Sequence, residues 1–505
     1  MLWSGLGVPS AVIDVAVVGA GAVGLWLAGE LRLAGASVVV IEQALQRSPH
    51  SRGLNIRART LEVLDMRGMA DAHVLEGRAV PTAHFAALSA RLDMSVLSSR
   101  FPFMLVLPQV RTEELFAERA VALGAELRLG HRVPRVVQND GGVDVAVDGP
   151  DGRYVQRARF VVGCDGARSS VRAAAEIEFD GYGTTRTALL GDVELSEPPE
   201  RGGLSVHRPE GSLIIVPMPG GRYRVVAKDV ERLSVPRSTE GTLEELREST
   251  RRILGSDLGA RNPTWLARVG NASRLARAYR RERIFLAGDA AHIHPPQGGQ
   301  GLNLGVQDAM NLGWKLAAEV NGTAPGWLLD SYERERRPVG ESVIEIARAQ
   351  EELASATTPG EMAVRDLFAE ILSEHPDVNR SLAERVSALA VAYPSEEASH
   401  RLAGHRAPDL QLDGRVSVGR LWELLRDGRF ALLTRRYAPQ QPQIEHAAVT
   451  PAMALEQGVA QCSSADSALV RPDGYFAWLG SGEQTATACA RWIEGVPGPA
   501  RVSVD

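Results

Sequence analysis

The chain has 505 residues, 44% hydrophobic and 23% charged, with a net charge of −6. This globular composition excludes collagen-like, disordered and small disulfide-rich classes, and the length is that of about three domain-sized units. The mild negative charge gives no reason to expect nucleic acid or an anionic membrane surface as a partner.

Of the 56 basic residues only Lys228 and Lys315 are lysine. GC-rich codon usage produces such a bias, so a lone arginine carries little functional information here. Three cysteines, Cys164, Cys462 and Cys489, lie far apart without CxxC. That spacing excludes a disulfide framework or structural zinc and fits a reducing compartment. No Lys or Arg precedes Arg32, and the uncharged stretch 15–29 is too short and too glycine-rich to cross a bilayer. The expectation is a cytoplasmic protein without a secretory leader.

In chain order, the pattern predicts a strand at 14–18, a glycine turn, a helix to 33 and a second strand at 37–41. A helix is expected at 59–66, no clear period at 75–104, and a helix at 111–123. A hairpin is expected over 133–155, turning at Asn139-Asp140-Gly141-Gly142 and Gly149-Pro150-Asp151-Gly152, and a buried strand at 160–163. From 181 to 268 the pattern reads as strands, two of them flanking a Pro-Gly-Gly turn at 219–221. A buried strand at 284–287, a long helix at 302–320 and helices over 341–398 follow. Pro394 and Ser395 mark a break before a last unit from about 400 to 505.

Gly19-Ala20-Gly21-Ala22-Val23-Gly24 is a GxGxxG turn between predicted strand and helix, and Glu42 closes the next strand. Gly19 makes the tight turn, Gly21 admits a pyrophosphate to the backbone, and Gly24 lets helix and strand pack closely. The helix N-terminus favours phosphate, and Glu42 is placed to accept from an adenosine ribose. The motif alone does not separate FAD from NAD. Two further turns follow buried strands: Gly163-Cys164-Asp165-Gly166-Ala167-Arg168 and Ala287-Gly288-Asp289-Ala290-Ala291-His292.

With GxGxxG, DG and GD in this order, the chain resembles the class A FAD-dependent aromatic hydroxylases of the p-hydroxybenzoate hydroxylase type. Finer strings agree: Ser51-Arg52-Gly53-Leu54, Pro108-Gln109-Val110-Arg111-Thr112-Glu113, His294-Pro295-Pro296-Gln297-Gly298-Gly299-Gln300-Gly301-Leu302-Asn303, and Tyr332-Glu333-Arg334-Glu335-Arg336-Arg337-Pro338. They look most like the bacterial hydroxylases of aromatic polyketide antibiotics and the rifampicin monooxygenases.

The resemblance implies an α/β fold: a Rossmann-type, GR2-like FAD-binding domain, an inserted mainly-β substrate domain and a C-terminal thioredoxin-like domain. The expected boundaries are 1–75, 105–180 and 269–398 for the first, 76–104 and 181–268 for the second, and 399–505 for the third. It implies FAD as cofactor and NADPH or NADH as a transient electron donor, in keeping with the absence of a second GxGxxG. It also implies an oxygen atom of O2 delivered from a C4a-hydroperoxyflavin to a polycyclic aromatic substrate. The cofactor-binding residues it implies are Gly19, Gly21, Gly24, Glu42, Arg52, Gln109, Asp165, Asp289, Pro295, Gly299, Gly301, Leu302 and Asn303. Arg52 and Gln109 would sit near the pyrophosphate and ribityl chain, Asp289 on the ribityl hydroxyls, Pro295 beside the isoalloxazine, and 298–303 at the flavin pyrimidine edge. The plain alternatives are that Asp289 is a helix cap and Asp165 a turn former.

His292 and His294 form HxH, but no further ligands stand nearby and no metal is expected. The run 333–337 reads as a solvated or structural ionic cluster. No residue is identifiable as a catalytic base. Arg222 and Arg224 share one strand face and Tyr223 takes the other, so Tyr223 is either a packing residue or, with Pro295, a pocket candidate. In the last unit, 415–421 and 469–478 resemble the thioredoxin-like appendage, and without CxxC its role is structural or that of an interaction surface. The expected oligomer is a monomer or homodimer. Two other activities remain open: an antibiotic-inactivating or Baeyer–Villiger oxygenase, and a non-catalytic flavin-fold binder of a reactive intermediate.

Overall fold

The computed structural model describes residues 11–200, 202–395, 400–412, 418–434, 449–453, 465–481 and 484–493. Cys462, the string 415–417 and the first ten residues lie outside the described residues. The strand Ile13–Val18 runs parallel between Val38–Glu42 and Gly152–Gly163, and Glu126–Leu129 and Ile284–Leu286 extend the same sheet. Its apolar runs, Val15–Val18 and Val38–Ile41, are buried on both faces, as a parallel sheet between helices requires. The helix Ala22–Leu33 crosses between the first two strands and packs on the helices Gln109–Ala122 and Gly301–Val320. Trp26 anchors that contact, with its ring 4.9 Å from that of Phe116.

The expected hairpin is the start of a three-stranded meander, Arg132–Asn139, Gly142–Gly149 and Gly152–Gly163. The last strand runs unbroken into the central sheet, so the strand read at 160–163 is its far end. Segment 75–104 carries the three-residue strands Arg78–Val80, Thr82–His84, Arg91–Asp93 and Met104–Val106, too short to show a period. Phe85, Leu88 and Leu92 pack with Leu372 and Val386 of the helices Pro359–Glu374 and Pro376–Val386, while His84 and Ala87 of the same segment border a second sheet across a cavity.

That second sheet is antiparallel: Leu204–Arg208, Gly211–Pro217, Tyr223–Asp229, Thr187–Glu194 and Arg261–Gly270. Reading 181–268 as strands alone overlooked the helix Leu243–Leu254. Its signals were local: Thr242 Oγ1 accepts from the Glu245 N–H at 3.1 Å, and Gly255 ends the helix at φ +90°. The helix buries Leu246 and Ile253 against Leu189, Val193, Leu213, Ile215 and Val225, which closes one face of the sheet.

The last unit pairs Phe430–Thr434 with Val449–Met453 in parallel, adds the antiparallel strands Ser467–Val470 and Phe476–Gly480, and ends in the helix Thr485–Trp492. That order suits the thioredoxin-like arrangement. Cys489 is buried, and burial pushes its thiol up to about 11, far from a reactive thiolate.

A buried ionic cluster joins this unit to the rest. Arg471 bonds Glu335 (2.8 Å) and Asp473 (2.6 Å), Lys315 bonds Glu335 (2.7 Å), and Arg59 reaches the Asp473 carbonyl (2.7 Å). Burial would raise the Glu335 carboxyl, but Arg471 and Lys315 outweigh it and hold it at about 2. No helix among the described residues is long and apolar enough to cross a membrane.

Removing one partner of a buried pair leaves an uncompensated charge, so Arg471→Met should cost about 3–5 kcal/mol, read as a lower urea midpoint of the holoenzyme. Because the Glu335 pKa is depressed in the fold, its contribution is present above about 4.5 and lost as pH falls toward about 2. The loss of stability on acid titration through that window should be smaller in the variant.

Candidate active site

The glycine turn has the geometry that its sequence predicts. Gly19 sits at φ +106°, and a Cβ there would lie 2.4 Å from the Cys164 carbonyl oxygen. A Cβ on Gly24 would lie 2.0 Å from the Gly19 oxygen. Gly21 differs: the nearest atom to its Cβ position is Glu113 Oε1 at 4.0 Å, so this side of the turn is open. The helix behind it has no side-chain cap, which leaves its positive end facing the opening. Glu42 is half-buried at the end of Val38–Glu42 and accepts from the Ala20 and Ala44 N–H groups, both at 2.8 Å. Gln109 accepts from the Gly53 N–H (2.9 Å) and donates to Glu113 Oε1 (2.7 Å), while Glu113 also accepts from the Ala22 N–H (3.3 Å). Arg52 is exposed beside them, and its carbonyl accepts from Arg224 at 3.3 Å.

Asp289 follows the buried strand Ile284–Leu286 and is exposed. Among the described residues it has no hydrogen-bond partner and caps no helix, and its Oδ1 lies 4.0 Å from the Cβ position of Gly301. Its loop is fixed from behind by Asp308, which accepts from the Gly288 N–H (3.2 Å), His292 Nε2 (2.6 Å) and Arg336 Nε (2.7 Å). Burial would raise the Asp308 carboxyl, but Arg336 and His292 together keep it below the ordinary range. His292 is thus a carboxylate partner, His294 bonds the Pro295 carbonyl (2.7 Å), and no metal-ligating cluster occurs among the described residues.

Asp165 turns into its own loop and accepts from the Ser170 (2.6 Å) and Val171 (3.2 Å) N–H groups at the start of the helix Ser170–Ala174. Arg172 then ties the DG loop to the GD loop, reaching the Ala167 and Ala290 carbonyls, both at 2.9 Å.

Gly298 (φ +70°) and Gly299 (φ +61°) bring the chain into the helix Gly301–Val320, whose first turn has no side-chain cap. Leu302 packs partly into the main core. The Asn303 side chain accepts from the Arg57 N–H (2.8 Å) and donates to the Asn55 and Gly299 carbonyls (3.2 Å each). It is spent inside the protein, so only backbone remains to face a flavin there. The residues fit FAD: an open cradle at Gly21 for a pyrophosphate, an unpartnered carboxylate at Asp289 for ribityl hydroxyls, and a glycine loop at a helix N-terminus for the flavin edge.

Between this loop and the second sheet lies a cavity of about 170 Å³. Arg52 and Gly299 line it from the cofactor side, and Ile214, Val226, Arg224 and Lys228 from the sheet. Tyr223 does not belong to it. Strand alternation turns Tyr223 into the core under the helix Leu243–Leu254, and Arg224 takes the cavity face. Pro295 is buried, and its neighbour Pro296 lines the cavity instead.

Sequence reasoning missed the polar groups of this wall. Arg224 is held by two 2.7 Å bonds to Asp192. Lys228 bonds Glu351 and Ser355 Oγ (2.6 Å), and Glu351 accepts from Gln297 of the glycine loop (2.8 Å). Burial lowers the Lys228 ammonium, with Glu351 opposing. Burial, reinforced by Arg57 and Arg91, holds His84 at about 4, so it is neutral near pH 7. Lys228 and Glu351 are 123 residues apart, and the only sequence signal was the rarity of lysine.

A family model described as an FAD binding domain matches residues 12–347, and one described as aromatic-ring hydroxylase, C-terminal, matches 400–498. The chain is 43% identical over 491 residues to the uncharacterized aromatic compound monooxygenase YhjG of Bacillus subtilis, covering 95% of this chain and 96% of that one. It is 41% identical over 480 residues to the rifampicin monooxygenase of Streptomyces venezuelae, covering 94% and 97%. The solved structure of the OxyS anhydrotetracycline hydroxylase from Streptomyces rimosus superposes with a TM-score of 0.88 at 39% identity, covering 96% of this chain and all of that one. Matched in this way over nearly its whole length, the chain belongs to the FAD-binding aromatic-ring hydroxylases and is an FAD-dependent monooxygenase.

Proposed function

We propose that this enzyme consumes NADPH or NADH and inserts one atom of O2 into a polycyclic aromatic substrate of the polyketide type, as a tailoring step in antibiotic biosynthesis. The observation that carries this reading is the cavity set directly against the Gly298–Gly299 loop, apolar at Ile214, Val216 and Val226 and polar at Arg224 and Lys228. Bound FAD supplies the redox chemistry that activates O2, and the protein supplies binding, orientation and exclusion of water. The apolar strand residues hold a flat ring system against the flavin loop. The Lys228–Glu351 pair offers a hydrogen-bonding partner for a ring hydroxyl and a route for its proton, since Lys228 is already pulled below an ordinary lysine. Neutral His84 adds a second partner for an uncharged hydroxyl. We propose FAD contacts at Glu42, Arg52, Gln109 and Asp289, with backbone contacts at Gly299, Gly301 and Leu302. The rifampicin monooxygenase relative favours, as a second reading, oxygenation that inactivates a rifamycin-type substrate.

Purified enzyme should carry FAD and show NADPH or NADH oxidation stimulated by a panel of anhydrotetracyclines, angucyclinones and rifamycins. Mass spectrometry should find one product gaining a single oxygen atom. Hydrogen peroxide alone with every member would overturn the proposal, and a rifamycin product would select the second reading.

Asp289→Ala should retain less than about a tenth of the bound flavin, measured as the visible-to-ultraviolet absorbance ratio, with an unchanged circular dichroism spectrum. Lys228→Met should keep its FAD but lose about tenfold in oxygenated product per NAD(P)H consumed, with peroxide making up the difference.

A further inference from the structure

The substrate cavity is small for a polycyclic molecule. Its volume is about 170 Å³, whereas pockets for drug-sized ligands hold about 300–1,000 Å³. Its exposed lining residues, Arg52 and Pro296, stand on the cofactor side. Elsewhere the second sheet meets the end of the helix Asp330–Leu353, and two ion pairs bridge that seam. Lys228–Glu351 is the inner pair, with both side chains buried. Arg186–Glu352 is the outer pair, at 3.0 Å, with side chains 34% and 70% exposed. Arg186 lines the cavity and Glu352 does not. The Arg186 side chain therefore runs from the cavity wall to a carboxylate on the surface. The backbone beneath it is fixed. Asn271 Oδ1 accepts from the Thr185 (2.9 Å) and Arg186 (3.0 Å) N–H groups, and the Asn271 N–H donates to the Arg186 carbonyl (3.2 Å). Movement is thus left to the side chain, whose hydrogen-bond partner among the described residues is Glu352. An exposed ion pair contributes little and weakens in salt, so this bridge parts easily while the buried one beneath it holds.

We propose that Arg186 and Glu352 form a side-chain gate to the substrate cavity and thereby a specificity-determining pair. Closed, the pair admits at most a single ring. Parted, it lets a fused polycycle enter between the second sheet and the helix Asp330–Leu353, with its outer rings lying along the seam. The size argument rests on the polycyclic reading of the substrate, but the gate is testable without a substrate because Lys228 lines the cavity behind it. The only other lysine, Lys315, is fully buried elsewhere, so an amine reagent that enters the cavity has one lysine to modify there. Arg186 lowers the Lys228 ammonium and Glu352 raises it. Two reagents that meet the same amine share any such change in reactivity, so the ratio of their rates reports passage alone.

The probes are benzenesulfonyl chloride, with one ring, and pyrene-1-sulfonyl chloride, with four. Each is applied to the FAD-loaded enzyme, and modification of the Lys228 peptide is followed by mass spectrometry. The pyrene-to-benzene rate ratio should rise about three- to fivefold in both Arg186→Ala and Glu352→Ala, the release expected from one exposed pair. The charge-swapped enzyme, Arg186→Glu with Glu352→Arg, should return to the wild-type ratio. Sodium chloride at about 0.5 M should raise the wild-type ratio and leave that of Arg186→Ala unchanged. The proposal is overturned by an unchanged ratio in either single variant with bound FAD retained, by a charge-swapped enzyme as open as the single variants, by a wild-type ratio indifferent to salt, or by no pyrene label on Lys228 in any variant. Failure of the polycyclic reading shows separately, as the absence of oxygenated product from the substrate panel.

Discussion

The Asp308 carboxylate is the constraint on which the cofactor end of the molecule depends. It is fully buried and bonded at once to the GD loop through Gly288, to His292, and to Arg336 of the next long helix. Arg336 passes the restraint on to the Leu304 carbonyl and the Tyr393 hydroxyl. Taking a carboxylate out of water costs several kcal/mol unless its lone pairs are met, and here they are met by groups from separate segments. The loop that presents Asp289 is therefore set by charge satisfaction behind it as well as by packing. Seven residues on, Lys315 of the same helix takes Glu335, the neighbour of Arg336. Two turns of one helix thus offer an acid and a base to adjacent residues of the other.

What was legible in the sequence had local causes. Gly19 is forced by its own φ of +106° and Gly24 by contact with the Gly19 oxygen, so the glycine turn shows as spacing. The helix Gly301–Val320 and the strands of the central sheet showed as apolar pattern. The cavity wall did not, because Arg224–Asp192 and Lys228–Glu351 join distant segments. Tyr223 shows where alternation stops. It sets Tyr223 opposite Arg224 and leaves a packing and a pocket role open, and the helix Leu243–Leu254, by covering one side of the sheet, decides for packing. The run 333–337 was open between a solvated and a structural cluster, and burial of Glu335 and Arg336 makes it structural.

The described part of the C-terminal unit contributes packing and charge, and its Cys489 thiol is buried. Arg471 lies over the rings of Trp314, Tyr393, Tyr475 and Trp492, 5.1 to 5.9 Å from their centroids, while bonding two carboxylates. Aromatic faces and acids together stabilise a cation that water does not reach. One side chain thereby links the appendage to both long helices that organise the cofactor loop.

The two lysines stand out against the 54 arginines. Lys228 and Lys315 are 6% and 0% exposed, and each is paired with a glutamate. An ammonium is a compact point charge that fits where a planar guanidinium does not. No lysine is consequently exposed, and acylating or crosslinking reagents that attack side-chain amines meet an exterior without a target. A lysine introduced at any exposed position would be the one side-chain amine open to such reagents, a unique attachment point for a dye, a surface or a tether.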